Sequence, residues 1–362
     1  MRILIGNNQL KKTGGTENFT YALAVELKRQ GHEVEYFTLE GGKVSELFEK
    51  AGIPFMSKER YDLVLANHNT VVEKLWQYGF IVQTCHGTVP ELEQPSPFAD
   101  AFVAVSEEVK NHLKKLGYDS TVIPNGIDCN RFRPKKNVAQ ELTTVLSLCQ
   151  SDEANNFISK CCQDAGVRFL KADKYKDNVW KIEDVINQSD LVVGLGRSAY
   201  DAMACGRCVI AFDCRHYIGN NLGDGMLTPD NIEESMKCNC SGRAHGLEFD
   251  EDAFVGEMKK YSPELAAWSR EYALEHLNVE KAAGQYLSIC KATNYDSEFF
   301  LLKKRMKHAF NVFKENELGM LVKYENLQKN FKAKNKKHLR AIRLLAWLAA
   351  LMATAMVLLL IL

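Results

Sequence analysis

The sequence predicts two α/β units in tandem, each a Rossmann-like parallel sheet wound with helices on both faces, followed by a terminal transmembrane helix. Three observations lead there. Short apolar runs alternate with helix-periodic segments in two successive series, the pattern breaks around Arg133 to Glu141, and residues 344–362 carry no charge at all. With 362 residues and 46% apolar composition, the chain can fill two domains of roughly 100–200 residues each.

The first unit, residues 1–136, opens with "RILIG" as a strand. "TENFTYALAVELKRQG" then sets Phe19, Ala22, Leu23 and Leu27 at helical spacing and stops at Gly31. "EVEYFTL", "DLVLAN", "FIVQTC" and "AFVAVS" read as further strands, with helical stretches near 43–51, 70–77 and 106–116. The second unit, residues 141–290, runs "TTVLSLC", a helix at 153–165, "VRFLKA", a helix at 180–187, "LVVGLG", a short helix after Gly196, "VIAFD", and closing helices from Asp250 to about Cys290. Strand and helix in alternation build parallel sheets, whose ligands lie at the carboxyl ends of the strands, and two facing domains leave a cleft.

Residues 291–343 are rich in Lys and Arg, with Leu302, Met306, Phe310 and Phe313 on one helical face. Docking on the enzyme body and lying on a membrane surface both suit that face. "LLAWLAALMATAMVLLLIL", residues 344–362, reaches about 28 Å at ~1.5 Å per residue, against ~30 Å for a bilayer core. The basic flank before it favours the cytoplasmic side, so a single-pass anchor with both domains in the cytoplasm is expected. "MRILIGNNQLKK" is too short in apolar residues for a signal peptide.

Lys+Arg and Asp+Glu both number 46, so the chain as a whole has no pull toward nucleic acid. Its eleven cysteines read as reduced thiols in a cytoplasmic setting. Cys205 with Cys208, and Cys238 with Cys240, have spacings compatible with zinc. Close packing in a helix-to-strand connection accounts for the first pair, and no metal is expected.

Two turns carry the chemistry. Gly14 and Gly15 precede a helix whose free N–H groups favour an anion, which gives a phosphate-compatible tip. A glycine-rich surface loop is the alternative. Gly6 lies eight residues before Gly14, so the dinucleotide fingerprint is absent and a nicotinamide or flavin is discounted. In "GLGRSAYDAMACGRCVIAFD", Gly194 and Gly196 permit a tight turn, Arg197 and Ser198 open the helix, and the cation can meet a diphosphate. Asp201 can accept hydrogen bonds from vicinal hydroxyls such as those of a ribose. Alternatively, Arg197 and Asp201 merely pair along the helix, worth ~0.2–0.5 kcal/mol.

These patches resemble the retaining family 4 glycosyltransferases of the GT-B fold. The likeness rests on "GGTENFTYALAVELKRQGHEV", on the histidine of "QTCHGT", on "VIPNGIDCNRF", and on "GLGRSAYDAMACGRCVIAFD" as a variant of that family's glutamate-bearing turn. It spans about residues 1–290. The resemblance implies that Gly15 lies by the donor phosphates, that His86 lies beside the donor sugar, and that Asp201 takes the ribose with a side chain one methylene shorter than the usual glutamate. The family's first glutamate, which touches the transferred sugar, corresponds to Val193. "LSLCQSDEANN" lacks the Arg and Lys that members use against the pyrophosphate, and Arg197 is expected to supply that charge. "GDGMLTPDNIEESMKCNCSGR" is similar to a subgroup with GR in this turn, which adds Gly223, Asp224, Gly225 and Arg243 as donor-site candidates. A glycine-rich connector is the plainer reading of that segment, and a turn closing the last strand is the plainer reading of Asn125–Gly126.

The resulting expectation is a membrane-anchored glycosyltransferase. The first domain would serve the acceptor and the second a nucleotide-diphosphate sugar, with His86 and Arg197 as catalytic residues and a glycan or lipid-linked acceptor. A sugar-nucleotide epimerase of the same fold, or a catalytically silent partner of another glycosyltransferase at the membrane, would share most of these features.

Overall fold

The computed structural model describes residues 1–172, 181–214 and 221–291, together with single positions at 309, 320, 346 and 347. The described residues up to 291 belong to one compact unit. Apart from those single positions and Lys291, the expected basic stretch and membrane anchor lie outside the described residues. No helix among the described residues is long and apolar enough to cross a membrane.

The first lobe places β1 (Arg2–Gln9), α1 (Gly15–Arg29), β2 (Glu33–Glu40), α2 (Lys43–Lys50), β3 (Leu63–Ala66), α3 (Asn69–Leu75), β4 (Phe80–Cys85), β5 (Ala101–Ala104), α4 (Glu107–Lys115) and β6 (Thr121–Val122) in chain order. Its six strands are all parallel, in the order β2-β1-β3-β4-β5-β6. Helices cover both faces, so strands such as Ile3–Ile5 and Leu63–Leu65 are buried throughout and read as continuous apolar runs. At the head of α4 a side chain sets the start: Ser106 Oγ accepts from the Val109 amide, which fixes that boundary.

The second lobe contains β7 (Thr144–Ser147), α5 (Asp152–Asp164), β8 (Arg168–Lys171), α6 (Ile182–Ile186), β9 (Leu191–Gly194), α7 (Arg197–Ala204), β10 (Cys208–Asp213), β11 (Leu222–Met226), α8 (Ile232–Lys237), β12 (Leu247–Glu248), α9 (Glu251–Met258), α10 (Pro263–His276) and α11 (Val279–Lys291). Its strand order is β12-β11-β10-β9-β7-β8. The four strands β8, β7, β9 and β10 are parallel, whereas β11 and β12 add an antiparallel edge.

That edge departs from the sequence reading, which takes Gly223–Gly225 as part of a turn. The glycines sit in a strand because neighbours fill the space a side chain needs. A Cβ on Gly223 would strike the Phe249 ring and the Ala211 carbonyl, and Gly225 adopts φ +74° where the register with β10 shifts between Ala211 and Phe212.

The chain passes between the lobes twice, and the two passages are bonded together. Ile127 N–H donates to Leu277 O at 2.7 Å, and Val279 N–H donates to Ile127 O at 2.9 Å. Gly126 permits this approach, since a Cβ there would lie 2.8 Å from Val279 Cα. Beyond the second passage α11 returns to the first lobe and packs along α1. Tyr286, fully buried on α11, shares a 2.8 Å hydrogen bond with Thr84 on β4.

Candidate active site at the lobe junction

The carboxyl ends of β1, β3 and β4 converge on one histidine. His86 follows β4, and its Nε2 stands 3.1 Å from Asn67 Oδ1. Asn67 Nδ2 already donates to Gly6 O (3.1 Å) and Thr20 Oγ1 (2.9 Å), which fixes Oδ1 as the acceptor and places the ring proton on Nε2. Thr20 is held in turn by Asn7 Nδ2 at 3.0 Å and by its own bond to Thr16 O at 2.7 Å. The Phe19 ring meets the imidazole edge-on at 5.3 Å, so the first turns of α1 bear on the same ring.

Burial pushes His86 down to about 3, with His68 and Arg197 adding to the shift and the Asn125 amide opposing it. Burial alone takes His68 down to about 4. His68 Nδ1 accepts from the Asn8 amide at 3.2 Å, a bond that requires a neutral, unprotonated nitrogen. His86 is thus a neutral ring whose Nδ1 is an acceptor, suited to a hydroxyl rather than to a phosphate.

Both folded-state values lie below the ordinary ~6.5. The stability tied to these rings is therefore complete above about pH 6.5 and lost as pH falls toward 4 and then 3. The expected result is that neither His68 nor His86 titrates between pH 5 and 8 when its Cε1 proton is followed by NMR. A His86 midpoint near 6.5 would show a solvated ring and no such network.

On the opposite lobe Arg197 opens α7 and is 8% exposed. Its Nη1 donates to Gly126 O at 3.1 Å. Its Nε lies 3.6 Å from Asp201 Oδ1, and among the described residues Nε, Nη2 and Asp201 Oδ1 have no hydrogen-bond partner. Burial raises Asp201 to about 6 against the pull of Arg197 and Arg131, and burial lowers Arg197 although Asp201 opposes it. The helical pairing weighed from sequence is present, yet it leaves two buried guanidinium nitrogens without an acceptor among the described residues. Such groups are costly unless an acceptor reaches them.

The remaining candidates divide. Gly14 caps α1 in extended backbone, and a Cβ there would meet the Glu17 carboxylate; a Cβ on Gly15 would meet nothing within 4 Å. The tip of α1 is thus open at Gly15 and carries its own anion beside Gly14. At α7 the tip is less bare than the sequence suggests. Gly196, at φ +55°, gives its N–H to Cys240 O at 3.1 Å, and the amides of Ser198, Ala199 and Tyr200 bond within the turn. Gly194 ends β9 against Ser198, whose Cβ would lie 3.2 Å from a Cβ on the glycine.

Gly223, Asp224 and Gly225 lie on β11 and Arg243 on the turn after α8, all with structural employment. Asp224 accepts from the amides of Gly242 (3.2 Å) and His245 (3.0 Å), and Arg243 binds Glu108 of the first lobe. Val193 is wholly buried in an apolar layer with Val145, Ile158, Ile210 and Phe254.

The cysteine pairs are free thiols. Burial pushes Cys205 and Cys208 up to about 12, and Cys208 Sγ donates to Ser262 O at 3.4 Å. No group of three or more His, Cys, Asp or Glu able to hold a metal occurs among the described residues.

Sequence reasoning missed Asn67 and His68. Their signal was present: both directly follow the apolar strand "LVLA", at the strand end where ligands of parallel sheets lie.

Residues 51–131, which include His86 and the Asn125–Gly126 turn, match the family model described as Glycosyltransferase Family 4. No curated protein matches the chain by sequence. Among solved structures, the chain is similar to Alr3699/HepE from Anabaena, crystallised with UDP and glucose. The likeness has a TM-score of 0.56 at 16% identity, over 81% of this chain and 100% of that one. The catalytic domain of starch synthase IV from Arabidopsis thaliana, bound to ADP and acarbose, aligns with a TM-score of 0.48 at 12% identity, over 80% of this chain and 98% of that one. The two α/β lobes share the GT-B fold of the Anabaena protein, and residues 51–131 of the first lobe match a glycosyltransferase family model.

Proposed function

We propose that the chain transfers a sugar from a nucleotide-diphosphate donor to an acceptor hydroxyl with retention of configuration. One observation carries the reading. A neutral histidine from the first lobe and an under-bonded, buried arginine from the second meet through the Asn125–Gly126 dipeptide, where Asn125 bears on His86 and Gly126 O takes Arg197. The UDP and glucose held by the similar Anabaena protein support a nucleotide sugar as the donor.

In this scheme the bond from C1 to the phosphate oxygen breaks as C1 bonds to the acceptor oxygen on the same face, and the acceptor proton passes to the leaving phosphate. Arg197, with the open tip of α1 at Gly15, stabilises the charge that develops on that phosphate. His86 Nδ1 accepts from a sugar hydroxyl, and Asp201 Oδ1 accepts from the ribose. The scheme uses no metal and no cofactor. Residues 344–362 serve as a single-pass anchor that keeps both domains in the cytoplasm, next to a glycan or lipid-linked acceptor such as a polyprenyl-diphosphate-linked chain.

The test is incubation of the purified protein with UDP-, GDP- and dTDP-sugars. Slow release of nucleoside diphosphate from one class of donor is the expected result. Interconversion of the sugars would make the chain an epimerase, and binding of none would leave it a silent partner.

A further inference from the structure

Among the described residues, two of the junctions between the lobes differ in kind. At the first, both passages of the chain are sewn together by the Ile127–Leu277 and Val279–Ile127 backbone bonds, with Gly126 letting them touch. The second is a single side-chain fork. Arg243 Nε donates to Glu108 Oε1 at 3.0 Å and Nη2 to Oε2 at 2.6 Å, so a guanidinium of the second lobe grips a carboxylate of the first.

Both ends of the fork are mounted on fixed backbone. Glu108 lies in the first turn of α4, whose start is set by the Ser106 cap. Arg243 lies on a turn tied down by Asp224 through the Gly242 and His245 amides. Behind the fork the fully buried Asp213 stands 3.7 Å from Arg243 Nη1, which gives the guanidinium a second carboxylate on its own lobe. The two side chains are 30% and 27% exposed, so water reaches the pair and can replace it.

We propose that the lobes swing about the sewn passages and that the Glu108–Arg243 fork is the catch that holds the cleft shut before the donor enters. Arg243 then has two positions, gripping Glu108 when closed and resting on Asp213 when open. Bistable elements of this kind carry hinge motions. The inference needs no particular donor, because it concerns the unliganded protein.

Hydrogen–deuterium exchange followed by mass spectrometry tests it on the full chain without ligand. In Glu108→Gln, the amides of residues 86–90 and 195–199 are expected to exchange about fivefold faster, the ratio equivalent to ~1 kcal/mol, while β1 and β9 keep their protection. Raising the salt should do the same to the native protein. Glu107→Gln, which alters the same helix turn at the carboxylate paired with Lys110 rather than with Arg243, should leave both segments unchanged.

Unaltered exchange of those segments in Glu108→Gln would overturn the proposal, as would a uniform rise that includes β1 and β9. Tighter UDP binding by Glu108→Gln with unaltered exchange would also overturn it, because Glu108 would then be masking a donor ligand. Failure to bind UDP in every form bears on the donor reading and leaves the exchange result standing.

Discussion

Arg197→Ala is expected to raise the dissociation constant for the donor nucleotide more than tenfold and to lower stability by about 3–5 kcal/mol. The two effects have separate causes. Binding is lost because the guanidinium N–H groups that await an acceptor disappear. Stability is lost because Asp201, 6% exposed, stays buried without the cation that opposes its protonation. Arg197→Met combined with Asp201→Leu separates them. Removing both charges should restore most of the stability in urea unfolding, while calorimetry with UDP should still show the weakened site. An unchanged dissociation constant in the single variant would take Arg197 out of the proposed site.

Val193→Glu is the second large effect. The resemblance sets this position against a glutamate that touches the transferred sugar, which invites the idea that a carboxylate here would improve the enzyme. The geometry argues for the opposite outcome. Val193 pairs in register with Ile210 and Ser147 on its two neighbouring strands, and its side chain lies in the layer sealed by α5 and α9. A carboxylate there has no water and no partner, so a loss of about 3 kcal/mol or more, or failure to accumulate as folded protein, is expected. Thermal melts beside those of Val193→Leu, which keeps the site apolar, would measure it. A stable Val193→Glu protein with increased donor turnover would show that the strand end reaches the cleft.

The parallel sheets were legible because strands buried on both faces leave uninterrupted apolar runs. "LVLA" and "FIVQTC" can hardly be anything else between helix-periodic segments. The position of His86 directly after β4 was legible for the same reason. The edge of the second sheet was not. Gly223 and Gly225 are strand residues only because Phe249 and a register shift against β10 make room for bare backbone, and those neighbours are remote in sequence. The partner of Arg243 was not legible either: Glu108 lies 135 positions away. Spacing along the chain reveals local periodicity and caps, not the long-range partner that uses a charge.

The course of α11 bears on how such a protein can be recombined. A crossover made at the boundary near residue 140 would give the hybrid one parent's α1 and the other parent's α11, mismatching the Tyr286–Thr84 contact and the ring packing of Tyr286 on Phe19. The block that can be exchanged intact runs from about Asp128 to Leu277, with the last helix inherited alongside the first 127 residues. For this architecture the natural cassette is an insertion, not a tail.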